Sequence, residues 1–240
     1  MKILIAISTV AILTFQGCNQ QTNNTVNGVQ YAGALQEIMG GNLDASITLK
    51  ELQETPDLYA LGAAEGLKGE IQIFNSKPYV SKVTPEQLVV ENDFNSNAAL
   101  LVYAQVPEWQ EISIPKAILT LKQFEDFLEY TALKAEIDTS KPFPFMIEGH
   151  IRKINWHVVN WNENNVNHSR EAHMASGLNG IVVEENVEII GFYSKDHKGV
   201  FTHHNANWHM HFRAKDQNLA GHLDDLLLGE YMTLKLPKQL

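Results

Sequence analysis

The chain has 240 residues, 44% hydrophobic and 19% charged, which is enough to bury a sizeable core and too apolar for disorder. A net charge of −10 without any basic stripe argues against a nucleic-acid partner. The single cysteine rules out a disulfide framework within one chain.

Residues 1–18 read as a processing signal. Lys2 supplies the positive start, Ile3 to Phe15 the apolar run, and Gly17-Cys18 a small residue before the lone cysteine. The run is short for a membrane span. Its end resembles the lipobox of bacterial lipoproteins, with Phe15 and Gln16 departing from the usual residues. The expected destination is the periplasm or the membrane surface, held there by a lipid on Cys18; secretion with cleavage nearby is the alternative. A mature chain of this kind has no cysteine pair, so any zinc must be held by His, Asp or Glu. Residues 19–28, rich in Asn, Gln and Thr, read as a flexible tether.

Tyr31 to Met39 is expected to form a short helix broken by Gly40-Gly41. Thr48-Leu49-Lys50-Glu51 has the form of a capping box, opening a helix that stops by Pro56. The apolar run Leu58 to Ala64 leads through Glu65 to Gly69 into Glu70 and the alternating strand Ile71 to Phe74. Asn75 to Lys77 then turns the chain into a strand over Pro78 to Val83. Ala98 to Val106 is almost wholly apolar, as in a strand buried on both faces. Thr120 and Gln123 form a second capping box, for a helix reaching about Ile137 with Phe124, Phe127, Leu128 and Leu133 on its core stripe. Asp138 to Pro142 punctuates the chain and is read as a boundary between a domain over residues 29–138 and one over 139–240.

In the second half, Phe145 to Val159 alternates as a long strand carrying His150, Arg152 and His157. Asn160 to Gly177 is a polar loop of a length that suits a lid, with His168 and His173 assigned no role. Ile181 to Glu184 and Val187 to Tyr193 read as strands paired across Glu185-Asn186. His197, His203 and His204 are spare ligands on the approach to the segment Asn207-Trp208-His209-Met210-His211-Phe212.

In that segment His209 and His211 stand two apart, so on a strand both rings point to one face and Met210 to the other. Arg213 to Ala220 is long enough for a turn, and a strand from Gly221 would bring His222 beside them. Three neutral imidazoles on one sheet face make a catalytic type of zinc site with a fourth position open. The plainer alternative is a half-buried strand with two histidines facing solvent. Asp225 to Leu228 and Met232 to Leu236 complete the sheet.

With these pieces placed, the chain resembles the bacterial alpha-acetolactate decarboxylases over most of residues 31–237. The resemblance rests on Gly191-Phe192-Tyr193-Ser194, on Trp208 to Phe212, and on Gly221-His222-Leu223-Asp224. It implies a zinc ion on His209, His211 and His222. Gly62-Ala63-Ala64-Glu65-Gly66-Leu67-Lys68-Gly69-Glu70 is similar in length and glycine positions to the family's segment ending in its active-site glutamate, which implies that role for Glu70. Ile147-Glu148-Gly149 matches the segment that precedes a family arginine near the zinc, and counting forward places His157 at the arginine's position. Arg152, an odd number of residues away, faces the other side of a regular strand. The family's carboxylate near the C-terminus has no counterpart before Leu240; Glu230 is the nearby candidate, with no positional reason to reach the site.

The fold expected is mixed α/β, with two mainly β-sheet domains, a few helices, and the zinc on a strand pair of the second. The function implied is decarboxylation of a small hydroxy-keto acid, 2-acetolactate, to acetoin and carbon dioxide, with Glu70 and His157 as the proton-handling or substrate-holding groups and a homodimer as the family's assembly. The alternative is a zinc-binding homologue that has lost decarboxylation or acts on another small oxo-acid.

Overall fold

A computed structural model describes residues 28–238; the signal segment with Cys18, and the tether up to residue 27, lie outside the described residues. The first sheet is built from β1 (Gln30–Ala32), β2 (Ile47–Thr48), β3 (Leu58–Ala64), β4 (Glu70–Phe74), β5 (Lys77–Val83), β6 (Leu88–Glu91) and β7 (Asn97–Gln105). Their spatial order is β1-β7-β3-β4-β5-β6, with β2 also against β7. The second sheet holds β8 (Trp109–Ser113), β9 (Phe143–Val158), β10 (Leu178–Tyr193), β11 (Trp208–Ala214), β12 (Leu219–Leu227) and β13 (Thr233–Pro237). Its order is β10-β11-β12-β9-β13-β8, and because β9 also pairs with β10, strands β9 to β12 form a closed ring of pairings. All these pairings are antiparallel. Three short helices accompany them: α1 (Leu35–Met39), α2 (Leu121–Lys134) and α3 (Arg170–Ala175). The fold is therefore mixed α/β, two mainly antiparallel sheets with few helices.

The sheets face each other, and strand alternation explains what lies between them. Ile71 and Ile73 of β4 enter the core on the outer face of the first sheet, with Leu49, Leu52 and Val80. Glu70 and Gln72 are thereby turned toward the second sheet. In β11, Met210 and Phe212 enter the core beneath α2, with Phe124, Leu128 and Leu223, which turns His209 and His211 toward the first sheet. A third core seals the space between the sheets, joining Leu61, Leu100 and Val102 to Met146, Ile190, Phe192 and Phe201. The uninterrupted apolar run of β7 follows from this layering. Leu100 and Val102 face the inter-sheet core while Ala98 and Leu101 face the outer one, each large side chain contributing roughly 1.5–3 kcal/mol on full burial.

Both capping boxes form. Thr120 Oγ1 accepts from the Gln123 backbone N–H at 3.4 Å and opens α2; the Thr48 box opens one 3₁₀ turn, Leu49–Leu52. Several expectations are corrected. The chain changes sheets between Gln105 and Trp109, not near Asp138, because β8 pairs with β13 and α2 packs on the second sheet. The turn at Asp138 only joins α2 to β9. The helix expected from Tyr31 is strand β1 followed by the five residues of α1. Leu133 is exposed rather than part of the α2 core stripe. Residues 178–193 are one strand, not a hairpin: both segments pair with β9, and Glu184, at φ 50°, takes up the bend between them.

Candidate metal centre and active site

Three strands of the second sheet place histidines in one row. His211 of β11 pairs with His222 of β12, and His222 pairs with His157 of β9. Directly paired residues share a face, so all three rings point to the first sheet, with His209 two residues along β11. All four histidines are buried, as is Glu70, which crosses from β4. Gly69, at φ 144°, turns the chain into that strand, and a side chain there would collide with the Ser81 carbonyl.

The hydrogen bonds around the rings decide where their protons sit. His209 Nδ1 lies 2.9 Å from the Phe201 carbonyl, which only accepts, so Nδ1 carries the proton. Gln72 donates its amide N–H groups to the Tyr79 carbonyl and to Ser81 Oγ. Its oxygen is left 3.1 Å from His211 Nδ1, which must therefore donate. Both Nε2 atoms are then bare lone pairs, and they stand 3.3 Å apart. Two buried acceptors facing each other repel unless a cation lies between them. Donors arranged tetrahedrally at ~2.0–2.1 Å from zinc are about 3.3–3.4 Å from one another, so the spacing fits.

Charge on the rings themselves does not relieve the contact. Burial, and then the neighbouring imidazoles, push His209 and His211 well below the usual histidine range. Burial and His157 push His222 down to about 4. Burial and His222 push His203 down to about 3. Neutral imidazole is the form that binds metal. The nitrogens of His203, His209 and His222 lie within 4.8 Å of one another, as do ligand atoms of His157, His222 and Asp224.

A second group adjoins the first. Both oxygens of Asp224 are 2.9 Å from His157 Nδ1, leaving His157 Nε2 to face Glu70 Oε1 at 3.8 Å. Glu70 Oε2 is 3.8 Å from His211 Nε2, and its Oε1 accepts from the Val159 N–H at 3.4 Å. Burial raises the Glu70 carboxyl to about 8, against a smaller lowering by His157. Burial lowers His157, but the carboxylates of Asp224 and Glu70 outweigh it and the net shift is upward. Burial raises Asp224, yet its bonds to His157 and His222 hold it well below the usual carboxylate range. Glu70, His157 and Asp224 thus stand in line, the first two titrating as a pair and the third held as a carboxylate.

These groups open on a cavity of about 490 Å³, a volume that suits a small molecule. Arg170, at the start of α3, is the single Lys or Arg on its lining and makes no ion pair among the described residues. Thr202, also on the lining, is fully buried with its hydroxyl unpartnered.

The structure brings His209, His211, His222, Glu70 and His157 together. It leaves Arg152 exposed, and Glu230 pairs with Lys116 at 2.7 Å on the surface, away from the cavity. The three candidate zinc histidines lie on the strand pair β11 and β12 of the second sheet, while Glu70, as expected from the first half, and Gln72 come from the first sheet. Sequence reasoning missed Gln72, Asp224 and Arg170 and set His203 aside. Asp224 lay inside the quoted Gly-His-Leu-Asp segment, and Gln72 in alternation with Glu70. The polar loop contains α3, which delivers Arg170. Its histidines pair with each other, His168 Nδ1 to His173 Nε2 at 3.0 Å, against Trp161.

No curated protein matches the chain in sequence. Among solved structures, the acetolactate decarboxylase from Bacillus subtilis subspecies spizizenii superposes with a TM-score of 0.72 at 17% identity, over 88% of this chain and 86% of that one. The alpha-acetolactate decarboxylase of Bacillus subtilis strain 168 gives 0.69 at 15% identity, over 88% and 86%. A Staphylococcus aureus protein of unknown function, described as similar to alpha-acetolactate decarboxylase, gives 0.68 at 15%, over 87% and 84%. At such identities the likeness is one of fold. The family model for alpha-acetolactate decarboxylase matches residues 30–238, nearly the whole described chain, and the chain belongs to that family.

Proposed function

We propose that the protein is a zinc-dependent decarboxylase that converts 2-acetolactate to acetoin and carbon dioxide, and that it is exported and anchored through Cys18. The observation carrying this reading is the pair of proton-free Nε2 atoms of His209 and His211, 3.3 Å apart, with Glu70 Oε2 3.8 Å from that of His211. His209, His211 and His222 would hold the ion. When bound, it supplies a positive charge that stabilises the negative charge developing on the substrate's ketone oxygen.

The remaining work falls to this chain's own groups. Arg170 binds the substrate carboxylate at the cavity mouth and orients the bond that breaks. As carbon dioxide leaves, the electron pair of that bond moves into the carbonyl, and the carbon it left must gain a proton. Glu70 gives that proton. Burial raises its pKa and so favours the protonated form that can donate, while a dication nearby acts in the opposite direction. His157, held by Asp224, faces Glu70 Oε1 and returns a proton to it. The apolar lining from Leu67, Leu100 and Val159 keeps water from competing as a donor.

Glu70→Gln tests the assignment. Zinc content is expected to stay at the wild-type level while acetoin release falls by ~10²–10⁴-fold, the usual worth of a positioned acid. Wild-type turnover in this variant would remove Glu70 from the reaction. The occurrence of His157 where the family carries an arginine supports a second reading, a zinc-binding homologue acting on a different oxo-acid. His157→Arg separates the two: a gain in acetolactate turnover would support a shifted substrate.

A further inference from the structure

His203 is a histidine that the family resemblance gives no task. It lies in the loop between β10 and β11, and its Nε2 is 3.4 Å from His222 Nε2. That equals the spacing of tetrahedral zinc donors, as does the 3.3 Å between His209 and His211. Its ring also packs against His209, with centroids 5.5 Å apart.

The loop carrying it is built toward the same point. The backbone N–H groups of Val200, Phe201 and Thr202 converge on the His197 carbonyl at 3.0–3.2 Å, and Gly199, at φ 78°, closes the turn. Held in this way, the loop offers the Phe201 carbonyl that orients His209, then the buried Thr202, then His203. One short segment therefore both orients a ligand and places a further imidazole beside those of His209 and His222.

We propose that His203 is a fourth protein ligand of the metal, completing a four-imidazole shell in the resting protein. On the metal reading above, on which this rests, the loop ring is a removable cover. Of the four rings it alone is not on a strand and is only half-buried, so an oxo-acid would gain its place on the metal by displacing it.

X-ray absorption at the zinc edge counts imidazole ligands directly. The wild-type protein is expected to show four, and His203→Ala three plus a light oxygen donor, with ~10–100-fold weaker zinc binding in chelator competition. Cobalt substitution gives an independent reading. The wild-type visible spectrum should not change with pH, whereas that of the variant should, since it gains a bound water that titrates. Three imidazoles in the wild-type protein would overturn the proposal whether or not the variant folds. Zinc absent from both proteins would overturn the metal reading as well, so the two failures are distinguishable.

Discussion

Gln72→Leu removes the bond that sets the tautomer of His211 without touching a metal-binding atom. In the native protein the Gln72 amide bridges the sheets: its oxygen takes the His211 Nδ1 proton at 3.1 Å, and its nitrogen serves Tyr79 O and Ser81 Oγ. Leucine fills most of the volume and makes none of these bonds. His211 Nδ1 and the Tyr79 carbonyl then lose a partner, at about 1–3 kcal/mol each. Ser81 is spared, because its hydroxyl still donates to the Ala220 carbonyl at 2.7 Å. The metal-free protein should therefore lose about 2–6 kcal/mol of stability, read from urea unfolding. Without the Gln72 oxygen, only the Ile71 backbone contact holds the His211 proton on Nδ1; more of the ring can place it on Nε2, and zinc affinity should fall by ~10–100-fold, or about 1.4–2.7 kcal/mol. A chromophoric chelator competing for zinc measures this. Gln72→Glu keeps an acceptor at the same reach and should keep the affinity. Unchanged zinc affinity in a folded Gln72→Leu protein would refute the tautomer reasoning on which the metal assignment stands.

Other expectations follow from the same geometry. Arg170→Gln should raise KM for acetolactate at least ~10-fold with kcat less affected, because a carboxylate contact made in ground and transition states alike shows up in binding; a fall in kcat alone would refute it. Asp224→Asn, which cannot hold His157 as a carboxylate does, should lower kcat by ~10²-fold while zinc is retained, as measured by turnover per bound metal. In Gly62→Ala the new methyl carbon would lie 1.9 Å from the Leu100 carbonyl oxygen of the neighbouring strand, so a loss of ~3 kcal/mol in urea unfolding is expected. Cys18→Ser should move the protein from the membrane to the soluble fraction of its host; an unchanged distribution would remove the lipid anchor.

What the sequence made legible was whatever depends on local periodicity. Alternation over Ile71 to Phe74, the doubly buried run around Leu100, and the two-residue spacing of His209 and His211 each reflect which way successive side chains point, and the strands follow them. Register is set by partners far along the chain and places His157 beside His222, while the face-to-face packing of the two sheets places Gln72 against His211. The role of Gln72 was therefore hidden, although its direction was implied by its neighbours Ile71 and Ile73. The change of sheet at Gln105 to Trp109 carries weaker turn chemistry than Asp138 to Pro142, yet only long-range pairing of β8 with β13 distinguishes a boundary from a helix-to-strand turn. His203 and Arg170 lie on segments without period, where the backbone bonds of a loop and a short helix decide direction.

The most direct test of the central claim is acetoin release from racemic acetolactate by the purified zinc-loaded protein, with and without a chelator. The account predicts acetoin that disappears when zinc is stripped and returns when it is restored. Stoichiometric zinc with no acetoin formed would contradict it.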